Sequence, residues 1–342
     1  MEKIIPNAKA LYVDEKTLYI ARGYNIYRSS HGGEEWILDG KIADFKYAFL
    51  GKFSRLLNRL LRIEVSCMVL LDDGTRIVTA KKGIFVAKPG SKKYIKTFNI
   101  TRGNKPMNIC LDSDGSLYFG EYFLNGRFVD TKREEVHIYR SEDHGQSWHI
   151  CYSFPQNTVR HIHGIFYDQY TDRLWVTTGD RDAECMIAYT TDKFESLHIV
   201  KSGSQKYRAV TLLFYPDHIV YGTDTEHETN YIYSFNRKSD EEKCLQALPG
   251  SVLMATQSNN NAAISTAVEP SKINSDPDAH IFFSEDGLLW KDIYCAKKDG
   301  YSLKYFQYGR ITFPQHAIAK ERLVFSGHAL EKIDNTVSIV NI

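Results

Sequence analysis

The sequence predicts an all-β fold for the whole chain, interrupted by one helical insertion. Among its 342 residues, 22 Tyr and 18 Phe stand beside only 9 Pro, and aromatic residues favour the pleated surface of a sheet. A second observation is a repeated hairpin pattern, in which a short apolar run, a polar turn and a second alternating run follow one another. The third is the spacing of this repeat, about 40–60 residues, which leaves room for four strands in each unit.

The hairpin repeat defines the architecture. Its turns carry residues of tight β connections, as in Asp72-Asp73-Gly74, and a third and a fourth strand follow most of the hairpins. Four antiparallel strands repeated in this way predict a single β-propeller domain over residues 1–342. Seven hairpins predict seven blades, and six is the alternative if the first and last partial units complete one another. The hairpins are Ala10–Ala21, Val69–Ala80, Ile109–Gly120, Ile165–Gly179, Thr211–Gly222, Ser251–Ala267 and Ala317–Gly327.

Residues 42–62 break the β pattern. Apolar side chains from Phe45 to Leu61 recur there at helical spacing, with Lys and Arg interspersed, which predicts a basic amphipathic helix inserted between the first and second blades. One interpretation is that its apolar stripe packs on the side of the propeller. The other is that it contacts a membrane surface or a partner protein, as basic amphipathic helices do.

Charge and composition exclude several classes. Lys and Arg number 43 and Asp and Glu 42, so no overall field attracts a nucleic acid. The first residues lack the apolar core of a signal peptide and no stretch approaches the ~20 apolar residues of a membrane span, so we expect a cytoplasmic protein. The six cysteines are scattered without a C-x-x-C pair and predict reduced thiols rather than a zinc finger.

A short motif identifies one face of the expected propeller. Residues 141–148 read S-x-D-x-G-x-x-W, residues 29–36 share that frame with His for Asp, and residues 190–197 and 284–290 are divergent copies. The motif resembles the Asp-box of sialidase and bacterial-neuraminidase-repeat propellers. Physically it suits a structural turn, because Asp accepts backbone N–H groups, Gly allows a positive φ, and Trp packs between sheets. Since the box lies between third and fourth strands, functional residues are expected on the opposite face, where first strands begin and second strands end.

Charged side chains of both signs concentrate at those positions. The predicted catalytic residues are His161, His163, Asp180, Glu121, Glu269 and Tyr207. The predicted substrate-binding residues are Arg160, Arg208, Arg310, Tyr122, Asp224, His227 and His316.

The residue types suggest three chemistries. His161 and His163 alternate along a strand, so both rings point the same way, as metal binding and acid–base catalysis require. No cofactor is required, but a divalent metal fits this pair. Arg160, Arg208 and Arg310 come from three blades and resemble the arginine cluster of sialidases, which implies binding of a substrate carboxylate. Their alternative role is internal ion pairing with Asp180, Asp224 or Glu269.

These features predict a carbohydrate-active propeller that binds, and as a glycosidase cleaves, an acidic oligosaccharide or polysaccharide at the channel mouth. The sialidase F-R-I-P signature is absent, and no Tyr–Glu nucleophile pair is carried over. A polysaccharide lyase acting on uronates by β-elimination is therefore the alternative enzyme, with His161, His163 and Tyr207 as candidate bases. A non-catalytic glycan-binding or assembly module is the third hypothesis.

Overall fold

Antiparallel strands make up most of the computed structural model, which describes residues 3–30, 32–43, 54–126 and 132–342. The first strands are β1 (Lys3–Pro6), β2 (Lys9–Val13), β3 (Leu18–Arg22), β4 (Asn25–Ser29), β5 (Ile37–Ile42), β6 (Met68–Leu70), β7 (Arg76–Ala80), β8 (Gly83–Ala87), β9 (Lys93–Asn99), β10 (Cys110–Leu111), β11 (Leu117–Gly120), β12 (Val136–Ser141), β13 (His149–Phe154), β14 (His161–Asp168) and β15 (Arg173–Gly179). The remaining strands are β16 (Met186–Thr190), β17 (His198–Ser202), β18 (Leu213–Phe214), β19 (His218–Gly222), β20 (Asn230–Asn236), β21 (Glu242–Leu248), β22 (Val252–Ser258), β23 (Asn261–Val268), β24 (Asp278–Ser284), β25 (Lys291–Lys297), β26 (Gly309–Thr312), β27 (Ile318–Ala319), β28 (Arg322–His328) and β29 (Thr336–Asn341). The α-helices in these ranges are α1 (Arg55–Leu61) and α2 (Leu303–Phe306).

The strands assemble into four-stranded antiparallel groups that follow the chain. Strands β10–β13, β14–β17 and β18–β21 each form a separate sheet in chain order. Strands β2–β5 and β6–β9 have the same internal order, and a parallel pairing of β5 with β9 joins them. Strands β22–β25 form a further group, and the end of β23 also pairs with β26. All seven predicted hairpins are antiparallel strand pairs.

The two ends of the chain meet in one sheet. Strand β28 pairs with β26, β27 and β29, and β1 completes this group by pairing with β29, with Lys3 opposite Ile339 and Pro6 opposite Thr336. The amino-terminal strand is thus the outermost strand of a sheet otherwise built from the last residues. Hydrogen bonds between β1 and β29 thus join the first and last strands of the chain.

Apolar residues from neighbouring sheets form the core. One cluster joins Leu11 and Ile26 of the β2–β5 group to Val78 and Phe85 of the β6–β9 group. Another joins the third and fourth groups, where Gly120 approaches Ile162 so closely that an added Cβ would lie 2.3 Å from its Cγ2. The core therefore lies between neighbouring sheets.

The motif at residues 141–148 forms a hydrogen-bonded turn. Ser141 Oγ accepts the Gly145 N–H at 3.0 Å, Asp143 accepts the Ser147 N–H at 2.9 Å, and the Trp148 indole donates to the Gly145 carbonyl at 3.1 Å. The hydroxyls of Ser29, Thr190 and Ser284 accept equivalent backbone N–H groups. All four turns join the third strand of a group to the fourth, as predicted.

Residues 44–53 of the predicted helix over 42–62 lie outside the described residues, and the helix does not begin at Ile42, which is the last residue of β5. Helix α1 occupies Arg55–Leu61, and Leu61 packs against the core between the first two groups. Arg55 pairs with Asp334 at 2.8 Å. Arg59 is buried and donates from Nε to the Phe306 carbonyl at 2.8 Å. These two arginines therefore bind the protein's own surface, and no helix among the described residues is long and apolar enough to cross a membrane.

Candidate functional site

A cavity of about 2010 Å³ lies where the first strands of the groups begin and the second strands end. Strand β14 supplies His161 and His163, the end of β15 leads into Asp180, and β26 supplies Arg310. Residues from β2, β14, β26 and the segments after β15, β19 and β23 thus share one wall. The cavity occupies the face that the sequence predicts for function.

Asp180 is the centre of a group that we call the Asp180 cluster: Arg160, His161, His163, Asp180 and Arg208. One carboxylate oxygen lies 2.8 Å from Arg160 Nη1. The other lies 3.1 Å from His161 Nε2, 3.3 Å from His163 Nε2 and 3.2 Å from Arg208 Nη2. Burial alone would raise the pKa of Asp180, but the hydrogen bonds and charges of the two histidines lower it well below its usual range. Asp180 is therefore a carboxylate over the whole physiological pH range.

Backbone carbonyls orient both imidazole rings. His161 Nδ1 lies 3.2 Å from the Phe123 carbonyl oxygen, and His163 Nδ1 lies 3.1 Å from that of Ala209. Because a carbonyl only accepts, each Nδ1 carries a proton, and each Nε2 faces Asp180, to which it donates when the ring is charged and presents a lone pair when the ring is neutral. Burial lowers the pKa of His161, which favours its neutral form. A Cβ on Gly179 would lie 2.4 Å from the His163 ring, so the glycine allows this close packing.

The same atoms form a candidate metal-ligand set. One ligand atom each from His161, His163 and Asp180 lies within 4.8 Å of the others. Imidazole nitrogens with Nδ1 bonded to a carbonyl are the usual arrangement of metal-ligating histidines. The donor set of two neutral nitrogens and one carboxylate suits a divalent transition metal.

Two further carboxylates line the cavity wall. Asp224 follows β19 and lies 3.7 Å from Arg208 Nη2, while Glu269 follows β23. Burial, together with the negative charge of Asp224, raises the pKa of Glu269 to about 7. Glu269 can therefore hold or release a proton near neutral pH, as a general acid must. The ring centroids of Tyr122 and His161 lie 4.2 Å apart, and burial raises the pKa of Tyr122.

Arg310 belongs to a separate group that we call the Glu64 cluster: Lys9, Glu64, Lys105 and Arg310. Glu64 lies 2.8 Å from Lys105 Nζ, 3.4 Å from Arg310 Nη2 and 3.9 Å from Lys9 Nζ. Burial would raise the pKa of Glu64, but Lys105, Lys9 and Arg310 hold it well below its usual range. All four side chains line the cavity.

The structure brings most of the predicted site residues together. Within the described residues, the cavity wall excludes Glu121, Tyr207 and His316. Glu121 instead accepts a hydrogen bond from Arg102 Nε at 3.0 Å, and His316 packs edge-on against Tyr12. Tyr207 ends a 3-10 turn beneath the wall and packs into an apolar cluster. The catalytic and substrate-binding roles remain predictions.

The predicted arginines reach the cavity wall, where all three lie in internal ion pairs. Arg160 and Arg208 pair with Asp180, and Arg310 pairs with Glu64. Sequence reasoning missed Lys9, Glu64, Lys105 and Tyr308, which also line the cavity. Lys9 is the first residue of β2, which is one of the first-strand beginnings where functional residues are expected. Glu64 follows the predicted helix, and its position in the sequence does not indicate a functional residue.

No protein-family model matches the sequence, and no curated protein matches it. Several solved structures resemble its fold. The chain superimposes on YCF48 bound to D1 peptide at a TM-score of 0.58 with 11% identity, covering 100% of this chain and 97% of that one. An oligogalacturonate lyase in complex with manganese gives 0.59 and 9%, covering 100% and 90%. A GH74 xyloglucanase from Xanthomonas campestris gives 0.59 and 13%, covering 95% of this chain and 52% of that one. At these identities the likeness shows the fold alone, which is that of a β-propeller.

Proposed function

We propose that this chain is a carbohydrate-active β-propeller that binds an acidic oligosaccharide in the cavity and hydrolyses one of its glycosidic bonds. The observation that carries the proposal is the placement of Glu269 near Asp224 in a cavity whose wall also holds Arg160 and Arg208. A proton donor, a second carboxylate and cationic groups for an acidic sugar are the parts that such a reaction uses.

The blade count belongs to the same proposal. We assign seven blades, the last of which consists of β26 and β27, β28, β29 and β1. The order of hydrogen-bonded strands supports this division, because six groups of four consecutive strands precede the closing group. We also assign the turns at Ser29, Ser141, Thr190 and Ser284 to the Asp-box, on the basis of their shared hydroxyl-to-backbone hydrogen bond.

Glu269 is proposed as the general acid. Its raised pKa keeps a proton available near pH 7, and this proton passes to the leaving glycosidic oxygen as the bond to the anomeric carbon breaks. Asp224, held beside Arg208, is the second carboxylate that stabilises the developing positive charge or activates water. Asp180 is unsuited to proton donation, because its hydrogen bonds keep it ionised.

Acidic substrates are favoured by the charge of the Asp180 cluster. Arg160 and Arg208 both pair with Asp180, Arg208 also lies 3.7 Å from Asp224, and Arg208 Nε lacks a hydrogen-bond partner among the described residues. A substrate carboxylate would accept a charge-assisted hydrogen bond from the Arg208 guanidinium group. This supports a sugar with a carboxyl group over a neutral one.

A uronate lyase is the second candidate function, favoured by the orientation of His161 and His163. In it, Arg160 and Arg208 hold the uronate carboxylate, and neutral His161 accepts the adjacent carbon-bound proton as the bond to the leaving oxygen breaks. A divalent metal held by His161, His163 and Asp180 would neutralise the same carboxylate, but it would occupy the Nε2 lone pair of His161, so that arrangement needs a different base. One structural neighbour is a lyase described in complex with manganese.

The experiment that tests the proposal incubates the protein with sialylated and uronate-containing glycans and follows released sugars and ultraviolet absorbance together. Saturated products that disappear in Glu269→Gln support hydrolysis. Unsaturated, absorbing products that disappear in His161→Ala and persist in Glu269→Gln support the lyase. Binding without product, lost in Arg208→Ala, would overturn both and leave a glycan-binding module. Lys243→Gln, an exposed change on β21, is the matched control.

A further inference from the structure

Among the described residues, the Glu64 cluster places three cationic side chains around one carboxylate. Lys9, Lys105 and Arg310 surround the single carboxylate of Glu64. His328 lies 4.0 Å from the same carboxylate, but burial and the charge of Arg310 lower its pKa well below the usual value, so it is neutral. Three cations therefore share one anion on the wall of the cavity.

The contacts within this cluster are also loose. Only Lys105 makes a close ion pair with Glu64, at 2.8 Å, whereas Arg310 and Lys9 stand off at 3.4 and 3.9 Å. The buried Arg133, by comparison, lies 2.8 Å from the Glu184 carboxylate. Cations that are held near a cavity without a close counter-ion are poised to bind an anion.

Of the three cations, Lys9 lies farthest from the Glu64 carboxylate. Its ammonium group is largely withdrawn from solvent, with 19% of the side chain exposed, and Glu64 is its ion-pair partner among the described residues. The pKa of Lys9 is lowered to about 8, mainly by burial and further by the charges of Lys105 and Arg310, while Glu64 acts in the opposite direction. A bound anion would favour the charged form of this lysine and offset the repulsion among the three cations.

We propose that Lys9, Lys105 and Arg310 form a second anion subsite, which binds a carboxylate or sulfate group on a sugar residue separate from the one held by the Asp180 cluster. This inference rests on the proposed function, because it makes the ligand a polyanionic oligosaccharide rather than a singly charged one. Arg310 links the two regions, since its charge lowers the pKa of Glu269 across the cavity. The subsite would thus position the chain of sugars relative to the proposed acid.

The first test is calorimetric titration with a linear tri-uronate and with its carboxyl-reduced, neutral counterpart. We expect Lys9→Gln and Lys105→Gln each to weaken tri-uronate binding by about 10-fold to 100-fold, as loss of a charge-assisted hydrogen bond does. Lys9→Arg keeps the charge and should recover most of the affinity. Lys243→Gln should match the wild type, and the neutral trisaccharide should bind all variants equally weakly. Unchanged tri-uronate affinity in both lysine variants, with binding still lost in Arg208→Ala, would overturn the subsite and leave the proposed function standing.

A second measurement uses the wild-type protein and so does not depend on any variant folding. Acetylation of Lys9 by acetic anhydride is followed by peptide mass spectrometry, with and without tri-uronate or inorganic sulfate. We expect both anions to slow labelling of Lys9 several-fold and to leave labelling of Lys243 unchanged. If tri-uronate does not bind at all while sulfate protects Lys9, the acidic-glycan function is overturned and the anion subsite stands. If neither anion protects Lys9, the subsite is overturned.

Discussion

His163 Nδ1 lies 3.1 Å from the carbonyl oxygen of Ala209, and this contact decides which ring nitrogen faces the cavity. The carbonyl requires the proton on Nδ1, which leaves Nε2 turned towards Asp180 at 3.3 Å. His161 repeats the arrangement against the Phe123 carbonyl. The Nε2 lone pairs of both histidines and the carboxylate oxygens of Asp180 repel one another unless a proton or a cation lies between them.

We therefore expect the protein to bind one divalent transition-metal ion, such as Mn²⁺, at His161, His163 and Asp180. Equilibrium dialysis followed by elemental analysis measures the stoichiometry. His163→Ala should lose at least 10-fold in affinity, whereas His137→Ala, on β12, should retain it. Binding should weaken in acid, because a protonated imidazole cannot ligate, and burial places the loss of His161 below its ordinary pKa of 6.5. Equal metal content in the wild type and His163→Ala would contradict the site.

Glu269→Gln is expected to reduce the rate of hydrolysis by about 100-fold to 10,000-fold, the usual contribution of a general acid. Because the pKa of Glu269 is raised to about 7, its protonated form predominates below that pH. The wild-type kcat/KM should accordingly fall as the pH rises through about 7. The same pH profile is then measured for Asp224→Asn. Because this variant removes the negative charge beside Glu269, the fall in kcat/KM should move to lower pH. An unchanged limb in Asp224→Asn would disprove the coupling.

The same residue makes a prediction about stability. A carboxyl group whose pKa is higher in the folded chain than in the unfolded one stabilises the fold at low pH and loses that advantage as the pH rises. Glu269→Gln should therefore be more stable than the wild type well above pH 7, and the two should converge towards pH 4.5. Urea unfolding across that range measures the difference. A constant difference at all pH values would show that burial does not raise this pKa.

Asp180→Asn should lower the free energy of unfolding by about 3 kcal/mol at neutral pH, because it leaves buried guanidinium groups without their carboxylate. The pKa of Asp180 is depressed, so its contribution is present above its ordinary value of 3.8 and is lost as the pH falls below it. Urea unfolding at about pH 7 and about pH 3 should show a large and then a reduced difference. Asp114→Asn, an exposed change, is the control.

Arg237 joins two sheets through a buried ion pair. Its Nη2 donates to Asp168 at 3.0 Å and its Nε donates to the Tyr215 carbonyl at 2.7 Å, with Asp168 completely buried. Arg237→Ala should destabilise the fold by about 3–5 kcal/mol, because Asp168 would remain as an unpaired buried charge. Thermal or urea unfolding checks this against Lys243→Ala, which should stay within about 0.5 kcal/mol of the wild type. A small effect of Arg237→Ala would mean that water replaces the arginine.

Local features of the fold follow from the order of the residues alone. Alternation of apolar and polar residues with Asp- and Gly-containing turns predicted the hairpins, because these signals act within a few residues of chain. The copies of the motif around Asp143 predicted the turns between third and fourth strands and thereby the functional face. That reasoning led to His161, His163, Asp180 and Glu269, which do line the cavity.

Which charged side chains meet depends on the assembled fold. Glu64 and Arg310 are 246 residues apart, and no local pattern relates them. Glu121 follows a second strand, as expected of a site residue, but pairs with Arg102 and does not line the cavity, whereas Lys9 begins a first strand, lines the cavity and was not among the predicted site residues. Which residues form an ion pair depends on how the sheets place their first strands around the cavity. Burial, which raises the pKa of Glu269 and lowers that of Lys9, arises only once those strands have assembled.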